Sequence, residues 1–267
     1  MPDEVQRRVY EHDPIQEALC ELRFRAPTTG WAILPGQLFN QLSDLYPSDP
    51  TTDLPFGGVT PQLTPQALAS VQVQMSPGLP GRVRLHDPDA ARGLFVTPGV
   101  LTVFVQRPYP KWESFSEHII RTLSAMQETA GAFDIERIGM RYVNKIEVPD
   151  QTLQIERYFH VAPLSFPGVH MTASGFIGRS EQFVEGRRDR SVIATFASTQ
   201  PTSGGAAFIL DLDAIAQGLS GVTTVPSAFE VIKELRALEK RLFEASITDE
   251  ARALFGRCEI IEEPDAN

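Results

Sequence analysis

The sequence predicts an α+β protein in which tandem β-α-β-β-β-α units form a bent antiparallel sheet packed by long helices. Segments with an apolar residue at every second position alternate with segments of helical spacing, and their order starts again after about residue 132. Leu22-Arg23-Phe24 also matches Met140-Arg141-Tyr142 at an offset of 118 residues. The two longest predicted helices correspond to each other at the same offset. We therefore expect one α+β repeat at 1–132, a second at 133–258, and an acidic tail at 259–267. Two unrelated strand and helix cycles are the alternative.

The elements of the first repeat follow from its apolar spacing. Ala18, Cys20, Leu22 and Phe24 alternate with polar residues, which is typical of a half-buried strand. The other expected elements are a helix at 36–46, strands at 71–75 and 82–86, two strands within 93–105 around a Thr-Pro-Gly turn, and a helix at 112–128.

The second repeat has the same order of elements. Its expected elements are a long strand at 137–148, a helical patch at 151–159, strands at 170–178, 191–198 and 207–212, a helix at 227–245, and a short helix at 249–255. We expect Ser227 to cap the long helix, with Glu230 completing a capping box. The apolar stripe predicted for that helix consists of Val231, Ile232, Leu235, Leu238 and Leu242.

Charge and composition restrict the classes of function. The 267 residues are 42% hydrophobic and 22% charged, which is typical of a folded protein and not of a disordered or fibrous one. The formal net charge of −10 disfavours nucleic-acid binding through bulk electrostatics. The acidic residues concentrate towards the two ends, however, whereas the middle of the chain is nearly neutral and contains clustered arginines.

The sequence also indicates a compartment. It begins with acidic residues and shows neither a secretory signal nor an apolar run long enough for a membrane span. Cys20 and Cys258 lie far apart and have no metal-binding spacing, so we expect two reduced thiols in a cytoplasmic protein with no membrane contact. The sequence leaves the oligomeric state open.

Three segments resemble a sporadically distributed bacterial family of unknown function. They are residues 14–24, with the ELRF-like strand Glu21-Leu22-Arg23-Phe24, residues 137–146, with the RIGxRYxN-like strand, and residues 209–213. The resemblance covers nearly the whole chain. It implies no catalytic residue, because the family has no assigned activity. The family's patchy occurrence implies an accessory or defence-island gene.

A polar set on the long mid-chain strand is the first candidate site. Arg141 and Lys145 share one face of the strand, and Arg23 is the equivalent of Arg141 in the first repeat. Guanidinium groups suit phosphate and carboxylate, so Arg23, Arg141, Asn144 and Lys145 are candidate ligand- or partner-binding residues. Asn144 interrupts the inward apolar face, as a polar group with a specific partner does. Ordinary cross-strand charges, with Asn144 at a bulge, are the alternative.

Two further clusters suggest other functions. Four arginines, at Arg179, Arg187, Arg188 and Arg190, are expected near a hairpin tip and could contact a nucleic-acid backbone, although interleaved acids favour a solvated turn. Asp211 and Asp213 alternate along a strand and form a weak candidate metal pair.

No catalytic or cofactor motif accompanies these clusters. The sequence contains no nucleophile elbow, phosphate-binding loop or dinucleotide fingerprint, so no cofactor is expected. The leading hypothesis is therefore a non-enzymatic module that binds a protein partner or a small anionic ligand. A nucleic-acid-binding saddle and a metal-dependent hydrolase are the alternatives.

Overall fold

A nine-stranded antiparallel sheet with helices on one face forms the α+β fold of the protein. The computed structural model describes residues 7–25, 30–53, 82–150, 155–161, 175–202 and 204–261. The strands are β1 (Arg7–Tyr10), β2 (Ile15–Phe24), β3 (Thr51–Asp53), β4 (Arg82–His86), β5 (Arg92–Thr97), β6 (Val100–Gln106), β7 (Ile135–Val148), β8 (Ile177–Val184), β9 (Arg187–Thr199), β10 (Ala206–Gln217) and β11 (Cys258–Ile261). The helices are α1 (Leu34–Gln41), α2 (Lys111–Ala130), α3 (Ile155–Tyr158), α4 (Val225–Ser246) and α5 (Asp249–Ala253).

Both halves of the chain contribute to this one sheet. The strand order is β3-β4-β5-β6-β2-β7-β10-β9-β8, so β2 and β7 pair where the two halves meet. β1 and β11 form a separate two-stranded ribbon, which brings the beginning and end of the described chain together. Apart from β1, β3, α5 and β11, both halves follow the order β-α-β-β-β-α predicted from the sequence. That the halves arose by duplication stays a prediction.

Helices α1, α2 and α4 cover one face of the sheet. Ala18, Cys20 and Leu22 point towards this face and are fully buried, as the alternation in the sequence predicts. They share a core with Leu38 of α1 and Phe115 of α2. A second core lies under the last turns of α4, where Phe208 and Phe243 pack with α3 and α5 residues. Burial of these apolar faces supplies the main stabilisation of the fold.

The opposite face of the sheet combines a small apolar cluster with paired charges. Leu19, Phe95 and Phe104 form the cluster, and the guanidinium of Arg82 lies 4.0 Å from the centre of the Phe95 ring. Gly93 sits beneath Phe104, where an added Cβ would come within 2.5 Å of both the Phe104 ring and the Leu85 carbonyl oxygen. This position therefore has no room for a side chain, and only glycine fits there.

The start of the long helix differs from the sequence prediction. Thr224, not Ser227, is the N-cap. Its hydroxyl oxygen accepts a hydrogen bond from the Ser227 amide, and the Ser227 hydroxyl oxygen accepts one from the Thr224 amide. Pro226 lies in the first turn of α4, a position that suits its fixed φ and missing N–H. The expected Ser227–Glu230 box is wrong because Thr224 begins the helix three residues earlier.

Other boundaries also differ. The expected helix at 36–46 ends at Gln41. Cys258, at the end of the expected second repeat, and residues 259–261 of the expected acidic tail pair with β1. The strand predicted at 71–75 lies outside the described residues, as do residues 170–174 of the strand predicted at 170–178 and residues 262–267 of the tail.

Among the helices that the structure describes, none combines the length and the apolar composition that crossing a membrane requires.

Replacement of Gly93 by alanine tests the packing of the outer face. We expect Gly93→Ala to lower the free energy of unfolding by about 1 to 3 kcal/mol, because its Cβ overlaps backbone and ring atoms. Gly36→Ala is the matched control: Gly36 lies in α1 with open space around it, and alanine there should stabilise by about 0.5 to 1 kcal/mol. Urea unfolding measures both, and equal effects would contradict the packing described here.

Candidate functional site

A cavity of about 250 Å³ opens between the helices and the central strands. Its walls come from β1, the start of β2, the segment before α2, the first turn of α2, the middle of β7, and the second half of α4. Glu239 of α4 lines it, and we call it the Glu239 cavity. The walls therefore join segments that are far apart in the sequence, which only the sheet topology brings together.

Glu239 occupies a position of α4 where an apolar residue is expected. It lies four residues after Leu235 and four before Phe243, on the buried stripe of the helix, and its exposed fraction is 6%. Within the described parts of the chain, its carboxylate has no hydrogen bond. Burial raises the pKa of Glu239 to about 8, against the opposing effect of Arg236 and Lys240. The carboxyl group is therefore protonated at neutral pH in the absence of a ligand.

Two tyrosines border the same cavity. The hydroxyl oxygens of Tyr109 and Tyr142 lie 3.5 Å apart, at the limit of a hydrogen bond. Burial raises the pKa of both phenols, so both keep their protons and can donate hydrogen bonds. Asn144, two residues after Tyr142 on β7, adds an amide to the wall.

The first turn of α2 brings positive charge to the cavity. Lys111 begins this 20-residue helix with a φ of 72°, a strained value for a residue with a side chain. Its Nζ donates to the Tyr10 carbonyl oxygen at 3.1 Å and to the Asp13 carboxylate. The N-cap residue, Pro110, provides no side-chain acceptor for the first amides of the helix. The positive end of the helix dipole thus borders the cavity.

The terminal ribbon forms one wall and is attached to α4 by polar contacts. Glu244 accepts from the Tyr10 hydroxyl at 2.9 Å and from the Arg8 guanidinium at 3.0 Å. Lys240 donates to the Arg8 carbonyl oxygen at 2.7 Å. These contacts fix β1 beside the second half of α4, where it forms part of the cavity wall.

An aromatic stack lies next to this wall. The guanidinium of Arg236 is 4.4 Å from the centre of the Trp112 ring, and Phe229 stacks on Trp112 with ring centres 6.2 Å apart. Because Trp112 also lines the cavity, its fluorescence reports on events there.

Asn144 is the one sequence-predicted binding residue that lines the Glu239 cavity. It faces inward and is 2% exposed, and its Nδ2 donates to the Leu210 carbonyl oxygen at 3.2 Å. The register between β2 and β7 shifts between Ile15 and Glu17, beside the pairing of Ile15 with Asn144. The inward orientation and the irregular pairing therefore occur together.

The other three residues of that predicted site lie on the opposite face of the sheet. Arg23 and Arg141 share that face, as expected, but each is paired with a carboxylate. Arg141 makes a two-bond contact with Asp211, at 2.8 and 2.6 Å, and Arg23 contacts Glu21 at 2.8 Å. Lys145 contacts Glu147 at 2.7 Å. The structure therefore separates Arg23, Arg141 and Lys145 from Asn144.

The four arginines of the expected hairpin tip also separate. Arg190 does not lie on the surface: its side chain is 7% exposed and makes a two-bond contact with Glu234 of α4, at 3.1 and 2.9 Å. Its position on β9 turns it towards the helices, which corrects its expected place at an exposed tip. Arg187 pairs with Asp189, whereas Arg179 and Arg188 lie on exposed parts of β8 and β9.

Asp211 and Asp213 share the outer face of β10, as the alternation predicts. Asp211 is engaged by Arg141, and Asp213 lies 4.0 Å from Arg137. Burial raises the pKa of Asp213 to about 6. The described residues contain no group of three or more histidine, cysteine or acidic side chains arranged to hold a metal ion.

Compared with protein-family models and with curated proteins, the sequence matches neither. The resemblance of its central strand to a bacterial family of unknown function stays a prediction.

Sequence reasoning did not identify Glu239, Lys111 or the tyrosine pair. One signal for Glu239 was present: it continues the four-residue spacing of Leu235 and Phe243, where a charged residue is unusual. The predicted stripe included Leu238 and Leu242 instead, which are only partly buried. No local signal joins Lys111 or Tyr142 to α4.

The stability of the protein should depend on the ionisation of Glu239. The carboxyl pKa rises on folding from an ordinary 4.5 to about 8, so the folded state binds more protons than the unfolded state between these values. The group therefore costs stability progressively as the pH rises through this window. We expect Glu239→Gln to remove this cost, so that its advantage over the unmodified protein grows by about 2 to 4 kcal/mol between pH 5 and pH 9.

Glu230→Gln is the control, because Glu230 lies on the exposed side of the same helix. Its stability difference from the unmodified protein should change with pH much less than that of Glu239→Gln. Denaturant unfolding at both pH values measures these differences, and a pH-independent effect of Glu239→Gln would show that the carboxyl group titrates normally.

Proposed function

We propose that the protein is a binding module whose Glu239 cavity holds a small anionic ligand. The observation that carries the proposal is a buried carboxyl group without a hydrogen bond in a cavity that the uncapped start of α2 also borders. A buried polar group without a partner is costly, and in proteins such groups are concentrated at sites that bind or react.

The cations of the cavity favour an anion. Arg8, Lys111, Arg236 and Lys240 border the cavity, together with the positive end of α2. The acidic residues that line the cavity or pair with these cations are Asp13, Glu113, Glu239 and Glu244, of which Glu239 is neutral at pH 7 because of its raised pKa. Positive charge therefore exceeds negative charge along the walls. The start of a helix with a nearby lysine is a recurrent environment for phosphate and carboxylate groups.

The size and walls of the cavity favour a small molecule over a protein segment. Its volume of about 250 Å³ is just below the range of about 300 to 1,000 Å³ that is typical of pockets for drug-sized ligands. Apolar and aromatic side chains such as Ile15, Trp112 and Phe243 line it together with a few polar groups, the usual composition of small-molecule sites.

The charges on the outer face of the sheet are already paired, which makes the cavity the better candidate for the anion site. A ligand that bound Arg141 there would have to displace Asp211, which already makes two charge-assisted hydrogen bonds to the guanidinium. Lys111 is also paired, with Asp13, but its ammonium group has three donors, of which Asp13 and the Tyr10 carbonyl oxygen engage two. A cytoplasmic location is part of the proposal, since both cysteines of the chain are free thiols and Cys20 is buried.

Trp112 fluorescence tests the proposed function. Replacing the only other tryptophan, as Trp31→Phe, isolates this signal, and it removes no hydrogen bond because the Trp31 Nε1 has none among the described residues. We expect phosphate, acetate or ethyl phosphate to change the Trp112 emission saturably and to raise the melting temperature. A dissociation constant of about 10 mM corresponds to a binding free energy of only about −3 kcal/mol. No response to any of these anions at concentrations up to about 10 mM would therefore overturn the proposal.

A charge-removing variant locates the anion. Lys111→Met should weaken binding of the responding anion at least about tenfold, because it removes the cation at the start of α2. Lys233→Ala is the control, since Lys233 lies on α4 in an exposed pair with Glu230. Equal affinities of the two variants would place the anion elsewhere.

A further inference from the structure

The carboxyl group of Glu239 and the positive start of α2 both border one cavity. An anion satisfies the start of α2, but it does not satisfy the carboxylate. Glu239 is 6% exposed and has no hydrogen bond among the described residues, although its helix position would accept a leucine without any unpaired polar group. The group that completes the site must therefore donate hydrogen bonds to Glu239.

The neighbouring cations of α4 are engaged in other contacts. Lys240 donates to the Arg8 carbonyl oxygen at 2.7 Å, and Arg236 lies over Trp112. Both lower the pKa of Glu239, but burial outweighs them. A ligand amine in the cavity would suit the carboxylate, because an ammonium group brings three donors and a full positive charge.

The side chains around Glu239 also suit an ammonium group. Tyr109 and Tyr142 border the cavity with their rings nearly perpendicular, at 75°, and their centres 6.0 Å apart. Ring faces attract cations, and the hydroxyl oxygens accept hydrogen bonds from them. The Asn144 amide lies on the same strand as Tyr142 and provides a further polar contact.

We propose that the ligand of the Glu239 cavity is a small zwitterion of the amino-acid or aminoalkyl-phosphate class, with its amine against Glu239 and its anionic group towards Lys111 and the start of α2. This inference rests on the proposed function, from which it differs by requiring the amine.

Two matched pairs of probes distinguish this inference from the proposed function: phosphoethanolamine with ethyl phosphate, and γ-aminobutyrate with butyrate. Each pair differs only in the amine.

The affinities of the four probes test the inference directly. In the unmodified protein, at least one amine-bearing probe should bind at least about tenfold more tightly than its partner without the amine. Glu239→Gln should abolish this preference and still bind the partner without the amine. The control Glu230→Gln should keep the preference, because its carboxylate is remote from the cavity surface.

The outcomes distinguish the two proposals. If the probes without the amine bind as tightly as those with it, or if Glu239→Gln keeps the preference, the zwitterion inference is wrong and the anion site stands. If none of the four probes binds, the zwitterion inference is wrong, and the anion site is wrong as well if phosphate and acetate also give no response. If all amine-bearing probes fail while ethyl phosphate or butyrate binds, the zwitterion inference is again wrong.

A proton measurement on the unmodified protein gives a second test that needs no variant. An ammonium group requires the ionised carboxylate, so binding at pH 7 should release about one proton from Glu239. The charged and titratable groups that interact electrostatically with this carboxyl are Arg236, Lys240 and Glu244 on α4, Tyr109 before α2, and Tyr142 on β7. Calorimetry of phosphoethanolamine binding in buffers of different ionisation enthalpy measures the release, and binding without proton release would contradict the inference.

Discussion

The pairing of β2 with β7 determines how the two halves meet and where the cavity opens. The ladder runs from Glu17 and Val143 to Arg23 and Arg137 in regular antiparallel register, so the backbone groups at the sheet centre are satisfied. The register shifts at both ends of this ladder, between Arg23 and Phe24 and, beside Asn144, between Ile15 and Glu17. The polypeptide before β2 therefore leaves the sheet beside Asn144, and the terminal ribbon takes its place under α4. The cavity lies in the space between them.

The two faces of β7 have different roles because successive side chains point in opposite directions. The inward face carries Tyr142 and Asn144 into the cavity. The outward face carries Arg141 and Lys145, each beside a carboxylate on the same or the neighbouring strand. Such partly exposed pairs contribute little to stability individually, but they neutralise the cations of a long strand. The charges that are most prominent in the sequence are thus satisfied within the sheet.

Helix α4 carries the buried carboxyl group that lowers the stability of the fold. This helix must pack against both cores and also bury Glu239 between Leu235 and Phe243. The two-bond contact of Arg190 with Glu234 attaches the exposed side of α4 to β9, and Glu244 attaches its end to the ribbon. The carboxyl group is held by a helix fixed on several sides, which is the arrangement expected of a preorganised site.

The fold was largely predictable from the sequence, whereas the cavity was not. Period-two alternation located β2 and β7 within three residues, because one face of each strand is buried by helices. Helix starts were less certain, since Thr224 and Ser227 both suit a cap and only the backbone shows which residue begins α4. Asn144 was identifiable as a polar residue on an inward face. Glu239 joins Tyr109 and Lys111 around one cavity only through the tertiary structure, and no local spacing relates it to them.

The protonation of one carboxyl group tests the central claim most directly. With ¹³C-labelled glutamate, the side-chain carboxyl carbon of Glu239 can be assigned by its loss in Glu239→Gln and followed by NMR from pH 4 to pH 10. We expect a midpoint near 8 in the protein without ligand, because the group is buried and has no hydrogen bond among the described residues. Phosphoethanolamine should lower that midpoint. A midpoint near the ordinary 4.5, unchanged by phosphoethanolamine, would show that Glu239 is solvated or already paired, and would contradict its role as the ligand's partner.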